Sequence, residues 1–292
     1  MNIRQSFADL ISQTLPRSEA RMLLSHVLKR GHAWLVAHDD YELSGDELAQ
    51  VCALAAKRIA GEPMAYLLGV REFYGRAFLC TPAALIPRPE TELLVDLALA
   101  QIPATAPLRG LDQSPVRVLD QAPLRVLDIG TGTGCIAITI ALERPHASVN
   151  AIDISPDALA LAGENAQRLG ASVSFVDSNW FAGLPPESQF DLILSNPPYI
   201  VPGDAHLSQG DLRFEPTVAL ADAVDGLESY RQLAQGAKKH LKPGGVLIVE
   251  HGFDQGGSVP ALFRAAGFYE VTMHRDLANQ PRVTSCRKPP PR

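Results

Sequence analysis

The sequence predicts an α/β protein in which a small helical bundle and a β-hairpin linker precede a doubly wound, mostly parallel sheet of seven strands. Three observations carry that expectation. From Arg125 onward, short apolar runs alternate with helix-length segments, the pattern of parallel strands covered on both faces. Glycines at 130, 132 and 134 stand directly between the first of those runs and the first helix. Residues 1–70, by contrast, carry a helical spacing of apolar residues.

In that first segment Ala20, Leu23, Leu24, Val27 and Leu28 make one apolar stripe, and Leu48, Val51, Cys52, Ala55 and Ile59 make another. Ser44 with Glu47 forms a capping box ahead of the second stripe. Helices this short are marginal alone, so they should pack as a bundle, with Pro63–Gly69 as a further helical turn. No catalytic constellation lies in 1–70, which is either a substrate-recognition domain or a structural cap. Residues 71–92 read as a linker: Glu72–Leu79 has strand-forming content around Gly75, and Ile86–Glu92 leads into a helix over Leu93–Leu99. Arg88 and Glu90 either reach an active site or form an ordinary link at the helix entry.

The third segment, 93–292, holds the sheet. Its start is interrupted by a near-repeat: Pro107–Ser114, Pro115–Ala122 and Pro123–Gly130 are similar octets, and only the third runs into the glycines. Three short copies do not make a solenoid, so 107–122 reads as an insertion, a loose loop or an edge strand. Strands are expected at Val126–Ile129, Val149–Asp153, Val173–Val176, Phe190–Leu194 and Val246–Glu250, with two more near Tyr269–His274 and Arg282–Cys286. The intervening helices are Cys135–Glu143, one opened by Ser155 and Pro156, and Leu227–Leu241 closed by Lys242-Pro-Gly-Gly245. Lys288–Arg292 should be a frayed end.

Composition narrows the function classes. With 292 residues, 46% hydrophobic and 20% charged, the chain is ordinary globular material. A net charge of -6 and the absence of a Lys/Arg run argue against gripping nucleic acid electrostatically. Cys52, Cys80, Cys135 and Cys286 are too scattered for a zinc ribbon or a disulfide framework, and no metal is expected. No signal peptide or 18-residue apolar run is present, so a cytoplasmic, monomeric protein without membrane contact is expected. H-E-x-x-H and G-x-S-x-G patterns are missing. His251 reads as a packed residue or one that supports the site from behind.

Two stretches carry chemistry. Ser195-Asn196-Pro197-Pro198-Tyr199 follows a buried strand, and the prolines force the backbone out of the sheet with bare carbonyls. The Asn196 side-chain oxygen and the Pro197 carbonyl can accept both hydrogens of a planar NH2 group while Tyr199 stacks on its plane. Hydrogen bonds that strengthen as such a nitrogen becomes tetrahedral favour the transition state, so no strong base is required. The second stretch is Gly130-Thr131-Gly132-Thr133-Gly134. It is neither G-x-G-x-x-G nor a G-K-[ST] loop, and suits a smaller ligand whose carboxylate meets backbone N–H groups near the helix start. Asp153, at the end of the next strand, is placed to hold ribose hydroxyls; alone it would read as a capping acid.

Asp128-Ile-Gly-Thr-Gly-Thr-Gly134, Asp153 and Asn196-Pro-Pro-Tyr199 resemble the S-adenosylmethionine-dependent methyltransferases that modify planar amino groups. Ile86-Pro-Arg-Pro-Glu-Thr-Glu92, Gln209–Pro216 and Glu250-His-Gly252 extend the resemblance to the protein-(glutamine-N5) methyltransferases that act on class 1 peptide chain release factors. It covers nearly the whole chain and departs chiefly at 107–122. The resemblance implies a Rossmann-like fold and S-adenosylmethionine as cofactor, held by Asp128, Gly130, Thr131, Gly132, Thr133, Gly134, Asp153, Trp180 and Asn196. It implies the glutamine of a Gly-Gly-Gln loop as substrate, met by Asn196, Pro197, Pro198 and Tyr199. Trp180 can also be a core aromatic. Asn-Pro-Pro-Tyr alone is shared by adenine-N6 methyltransferases of nucleic acid, and a ribosomal-protein glutamine methyltransferase is the nearer rival; the Gln209–Pro216 stretch favours release factors.

Deletion of residues 107–122 is expected to leave methyl transfer largely intact. A truncated protein that no longer binds cofactor in an equilibrium titration would show the copies to be structural.

Overall fold

The structure is a computed structural model that describes residues 1–12, 15–104, 123–222 and 224–291, so the 107–122 insertion lies outside the described residues. Two compact units are present: Met1–Arg71 with Ser208–Phe214, and Glu72–Leu207 with Glu215–Arg292.

The first unit contains α1 (Ile3–Ser12), α2 (Arg17–Leu28), α3 (His32–Ala37), α4 (Gly45–Ile59) and α5 (Met64–Leu68). Apolar spacing explains the packing: Leu10, Ala20, Leu23, Leu24, Val51, Ala55 and Leu67 close one core. The Ser44–Glu47 capping box forms in both directions. Two residues of the second stripe do not join the core, since Cys52 and Ile59 are exposed; they sit where the stripe widens beyond the face that α2 can cover. The short helical turn Gly210–Phe214 clusters with this unit. Arg58 explains why: it grips Glu19 through two hydrogen bonds of 2.8 and 2.9 Å and reaches Asp211 at 3.1 Å. Arg213 donates to the Ala60 carbonyl at 2.6 Å.

β1 (Val70–Phe73) and β2 (Arg76–Leu79) form the expected hairpin. Tyr74 and Gly75 both have left-handed φ, 51° and 73°, the requirement of a tight two-residue turn whose twist matches its strands. A 3-10 turn at Pro89–Thr91 then opens α6 (Glu92–Gln101).

The chain next alternates through β3 (Arg125–Ile129), α7 (Cys135–Glu143), β4 (Ser148–Asp153), α8 (Pro156–Leu169), β5 (Ser174–Asp177) and β6 (Phe190–Ser195). After α9 (Thr217–Leu220) come α10 (Glu228–His240), β7 (Leu241–Glu250), α11 (Ser258–Ala265), β8 (Tyr269–Arg275) and β9 (Pro281–Arg287). The seven-stranded sheet has the order β5-β4-β3-β6-β7-β9-β8, parallel from β5 to β7, with β9 antiparallel to both neighbours. Alternate residues face opposite cores, as a doubly covered sheet demands. Val126, Leu192, Leu194, Val246 and Ile248 meet α6 and α7 on one side; Leu127, Ile193, Leu247 and Val249 meet α10 and α11 on the other.

β7 starts at Leu241, earlier than the sequence indicates, because Leu241 pairs with Phe190 and a bulge then carries the chain to Val246 opposite Leu192. Lys288 is not frayed: its N–H donates to the Gly245 carbonyl at 2.9 Å and its Nζ to the Leu241 carbonyl at 2.6 Å. α9 and α11 are elements that the sequence reading omits. No helix among the described residues is long and apolar enough to cross a membrane.

Gly236, inside α10, shows packing overruling propensity. Alanine normally stabilises a helix interior by about 1 kcal/mol over glycine. Here its Cβ would lie 2.0 Å from the Phe181 ring, which stacks on His240 one turn along at 5.2 Å. Overpacking of that kind costs about 1–3 kcal/mol. Gly236→Ala is therefore expected to lower the thermal midpoint by several degrees; an unchanged or raised midpoint by circular dichroism would contradict this packing.

Candidate active site

The strand order reverses between β3 and β6, so the helices that follow them, α7 and α10, leave toward opposite faces. A crevice must open at the carboxyl ends of those strands. It does, as a cavity of about 410 Å³ bordered by Gly130, Thr131, Asp153, Trp180, Asn196 and Pro197 among others. The wall therefore unites the two chemical stretches of the sequence. A hydrogen bond of 2.8 Å from Ser195 Oγ to the Ile129 carbonyl pins the ends of β3 and β6 together at its floor.

The glycine loop is held from within. Gly130 and Thr131 donate to the Ile152 carbonyl at 2.9 and 3.0 Å, Gly132 to Asp153 Oδ2 at 2.9 Å, and Gly134 to the Thr131 carbonyl at 2.8 Å. These four amides are spent inside the protein, so the expected carboxylate contact with loop N–H groups has few donors left. The glycines do different work. Gly130, with φ 71°, borders the cavity, and a Cβ there would meet nothing within 4 Å. Gly134 is not among the residues lining the cavity: with φ 81°, a Cβ on it would lie 2.7 Å from Ile138 Cδ1 and 3.1 Å from Ala162 Cβ. It lets α7 and α8 approach.

Asp128, expected on the cofactor, is not among the residues that line the cavity. Its carboxyl is fully buried and accepts the Thr131 hydroxyl at 2.7 Å, so it shapes the loop. Burial pushes its pKa up to about 7, the Thr131 hydrogen bond opposing. Thr131 and Thr133 both line the cavity. Asp153 does too: Oδ1 takes the Ser155 N–H at 2.9 Å and Oδ2 the Gly132 N–H, leaving each oxygen a further acceptor position. Trp180 borders the cavity with a left-handed φ of 52°, a strained conformation for so bulky a residue. Ser178 stabilises it, donating to the Trp180 carbonyl at 2.6 Å and accepting the Gly183 N–H at 2.8 Å.

At the proline corner Asn196 Nδ2 donates to Thr91 Oγ1 at 3.3 Å, which commits the NH2 half of the amide and leaves Oδ1 as the acceptor. The Pro198 carbonyl is taken by Ser229 Oγ at 2.7 Å, whereas the Pro197 carbonyl has no hydrogen-bond partner among the described residues. Asn196, Pro197 and Pro198 line the cavity; Tyr199 does not. Its side chain packs against the core shared by α10 and β7, and burial pushes its pKa up to about 12. The peptide after Pro198 turns inward: the Tyr199 and Ile200 N–H groups bond the Leu220 carbonyl at 3.2 and 3.0 Å.

Of the two residues left open before α6, Arg88 lines the cavity and Glu90 does not. Arg88 pairs with Glu215, whose buried carboxylate also takes the Ile86 N–H at 2.9 Å. Asp222 accepts from Val224, Asp225, Gly226 and Ser229 at 2.7–3.0 Å and so fixes the entry to α10. Burial raises its pKa, but those four N–H groups win and hold it below the usual carboxylate range. His251 is a packed residue, buried between the Gly252 carbonyl and the Thr284 hydroxyl. Thr91, Ser178, Glu215, Asp222 and Ser229 have no motif of their own; the only signal for two of them was membership of Ile86–Glu92 and Gln209–Pro216.

A methyltransferase domain family model matches residues 120–268, and a PrmC N-terminal domain model matches residues 3–69. The crystal structure of a methyltransferase from Pyrococcus furiosus, 18% identical, covers 80% of this chain and 97% of its own with a TM-score of 0.51, a likeness of fold. A release factor glutamine methyltransferase of Neisseria gonorrhoeae is 49% identical over 271 residues, 92% of this chain and 93% of its own. One of Bordetella pertussis is 51% identical over 270 residues, 92% of this chain and 94% of its own. Identity at that level over nearly the whole chain means that the chain belongs to the release factor glutamine methyltransferase family.

Proposed function

We propose that this chain methylates the side-chain amide nitrogen (N5) of the glutamine in the Gly-Gly-Gln loop of class 1 peptide chain release factors, using S-adenosylmethionine. The observation that carries the reading is the shared cavity: Asn196 and Pro197 border the same space as the glycine loop and Asp153.

The residues fit the cofactor. The volume of about 410 Å³ suits a small-molecule site, Asp153 retains acceptor positions for ribose hydroxyls, and the open side of Gly130 leaves room that any side chain would fill. When bound, S-adenosylmethionine supplies an electrophilic methyl on a sulfonium. The protein's own part is alignment. Asn196 Oδ1 and the Pro197 carbonyl hold the two amide hydrogens, aim the nitrogen, and bind it more strongly as it becomes tetrahedral. Pro197 and Pro198 stiffen the corner, and Ser229 fixes the second carbonyl so that only the first is left to the substrate. Trp180 walls the cavity, and Tyr199 anchors the corner from the core. Asp128 and Gly134 support the loop without touching the cofactor.

On this reading the helical unit recognises the release factor, and the enzyme works as a monomer in the cytoplasm, where translation ends. Incubating the purified protein with radiolabelled cofactor and, in parallel, release factor, ribosomal proteins and DNA tests the substrate. Label is expected in the release factor; label confined to another arm would overturn the assignment. Asn196→Ala is expected to lower kcat by about 100-fold or more while leaving cofactor affinity within a few-fold. Near-normal turnover in that variant would remove the role given to the corner.

A further inference from the structure

Asn165 lies within α8 and is 0% exposed, an unusual place for a side chain that carries two donors and an acceptor. Asparagine is also a poor helix former, because its amide competes for nearby backbone groups. Here it reaches away from its own helix. Oδ1 accepts the Leu79 N–H at 2.7 Å, while Nδ2 donates to the Leu79 carbonyl at 3.2 Å and to the Thr133 carbonyl at 3.0 Å. Carbonyls only accept and an N–H only donates, so these three partners allow a single orientation of the amide.

The partners lead to two walls of the cavity. Leu79 ends β2, and Ala83, Ala84 and Leu85 shortly after it line the cavity; Thr133 lines it from the glycine loop. The two walls come close: a Cβ on Gly132 would lie 3.8 Å from Ala84 Cβ, and Ala84 packs with Ala158 and Leu161 of α8. The far end of the 79–86 segment is also tied by a distant side chain, since the buried Glu215 carboxylate takes the Ile86 N–H at 2.9 Å. Both donated hydrogens of Asn165 sit on one planar nitrogen, so the Leu79 and Thr133 carbonyls are held at a fixed spacing. Asn165 itself does not line the cavity.

We propose that Asn165 is a positioning residue for the cofactor: its single amide clips the end of β2 to the glycine loop and thereby sets the spacing of the two walls between which S-adenosylmethionine binds. The proposal deepens the functional reading above and rests on it. Asn165 touches neither cofactor nor substrate and acts through Leu79 and Thr133. Replacing its amide takes a partner from three backbone groups at once, and the segment regains partners only by moving away from the loop toward water. The clip acts on binding rather than on methyl transfer, because the proline corner is anchored separately, through Ser229 and Thr91.

The test uses the full-length enzyme. S-adenosylmethionine Kd is measured by titration calorimetry, and cofactor KM and kcat with purified class 1 release factor, each well below the variant's thermal midpoint. Asn165→Ala removes all three bonds; Asn165→Asp keeps the acceptor for the Leu79 N–H and, as a carboxylate, loses both donors. Each should raise cofactor Kd and KM about tenfold, with kcat at saturating cofactor within about twofold. Phe263→Leu, in the core between α10 and α11, is the control for lost stability alone and should keep cofactor Kd within about twofold. Hydrogen exchange on the wild type reads the clip without any variant: added cofactor should protect residues 79–86 and 130–134 in parallel. An unchanged Kd in either Asn165 variant, a fall in kcat in place of the KM rise, a Phe263→Leu loss as large as theirs, or protection of the loop alone overturns the clip and leaves the functional reading standing. A wild type that binds cofactor but labels no release factor overturns the functional reading, while the clip still stands or falls on Kd. A wild type that binds no cofactor overturns both.

Discussion

The crossing of α7 and α10 to opposite faces of the sheet is the constraint on which everything else in the larger unit depends. Once the chain has built β3-α7-β4-α8-β5 on one side, β6 pairs on the free edge of β3, and α10 covers the other face. The carboxyl ends of β3 and β6 then open onto the cavity. Backbone polar groups there are free to turn toward a ligand, and Ser195 spends its hydroxyl on keeping the two strand ends together.

Within that opening, rigidity comes from committed hydrogen bonds rather than from apolar packing. Four amides of the glycine loop are internally bonded, and the Pro198 carbonyl and the NH2 of Asn196 are both taken. Asn196, Pro197 and Asp153 border that one cavity.

Two buried carboxyls flank this arrangement, Asp128 under the loop and Glu250 at the end of β7, each pushed up to about 7 by burial. Leaving water is unfavourable for such groups, and each is drawn back toward ionisation by one threonine hydroxyl. Thr131 and Thr91 both line the cavity, and Thr131 bonds Asp128 behind it. Perturbed acids of this kind accumulate where a protein spends stability on geometry.

The sequence by itself determined what depends on near neighbours. Apolar periodicity marked the helices of the first unit and the strands of the sheet, Ser44–Glu47 and Ser155–Pro156 set helix starts, and the glycine loop and the proline corner declared themselves by spacing. The tertiary structure alone decided what depends on residues far apart in the chain. It put Asp128, Gly134 and Tyr199 behind the wall instead of on it, assigned Ser208–Phe214 to the helical unit through Arg58, and brought Thr91 to Asn196. The physical reason is that a side chain's role follows from which partner takes its hydrogen bonds and which neighbours exclude water from it. Those partners are fixed by the sheet order, which local pattern does not encode.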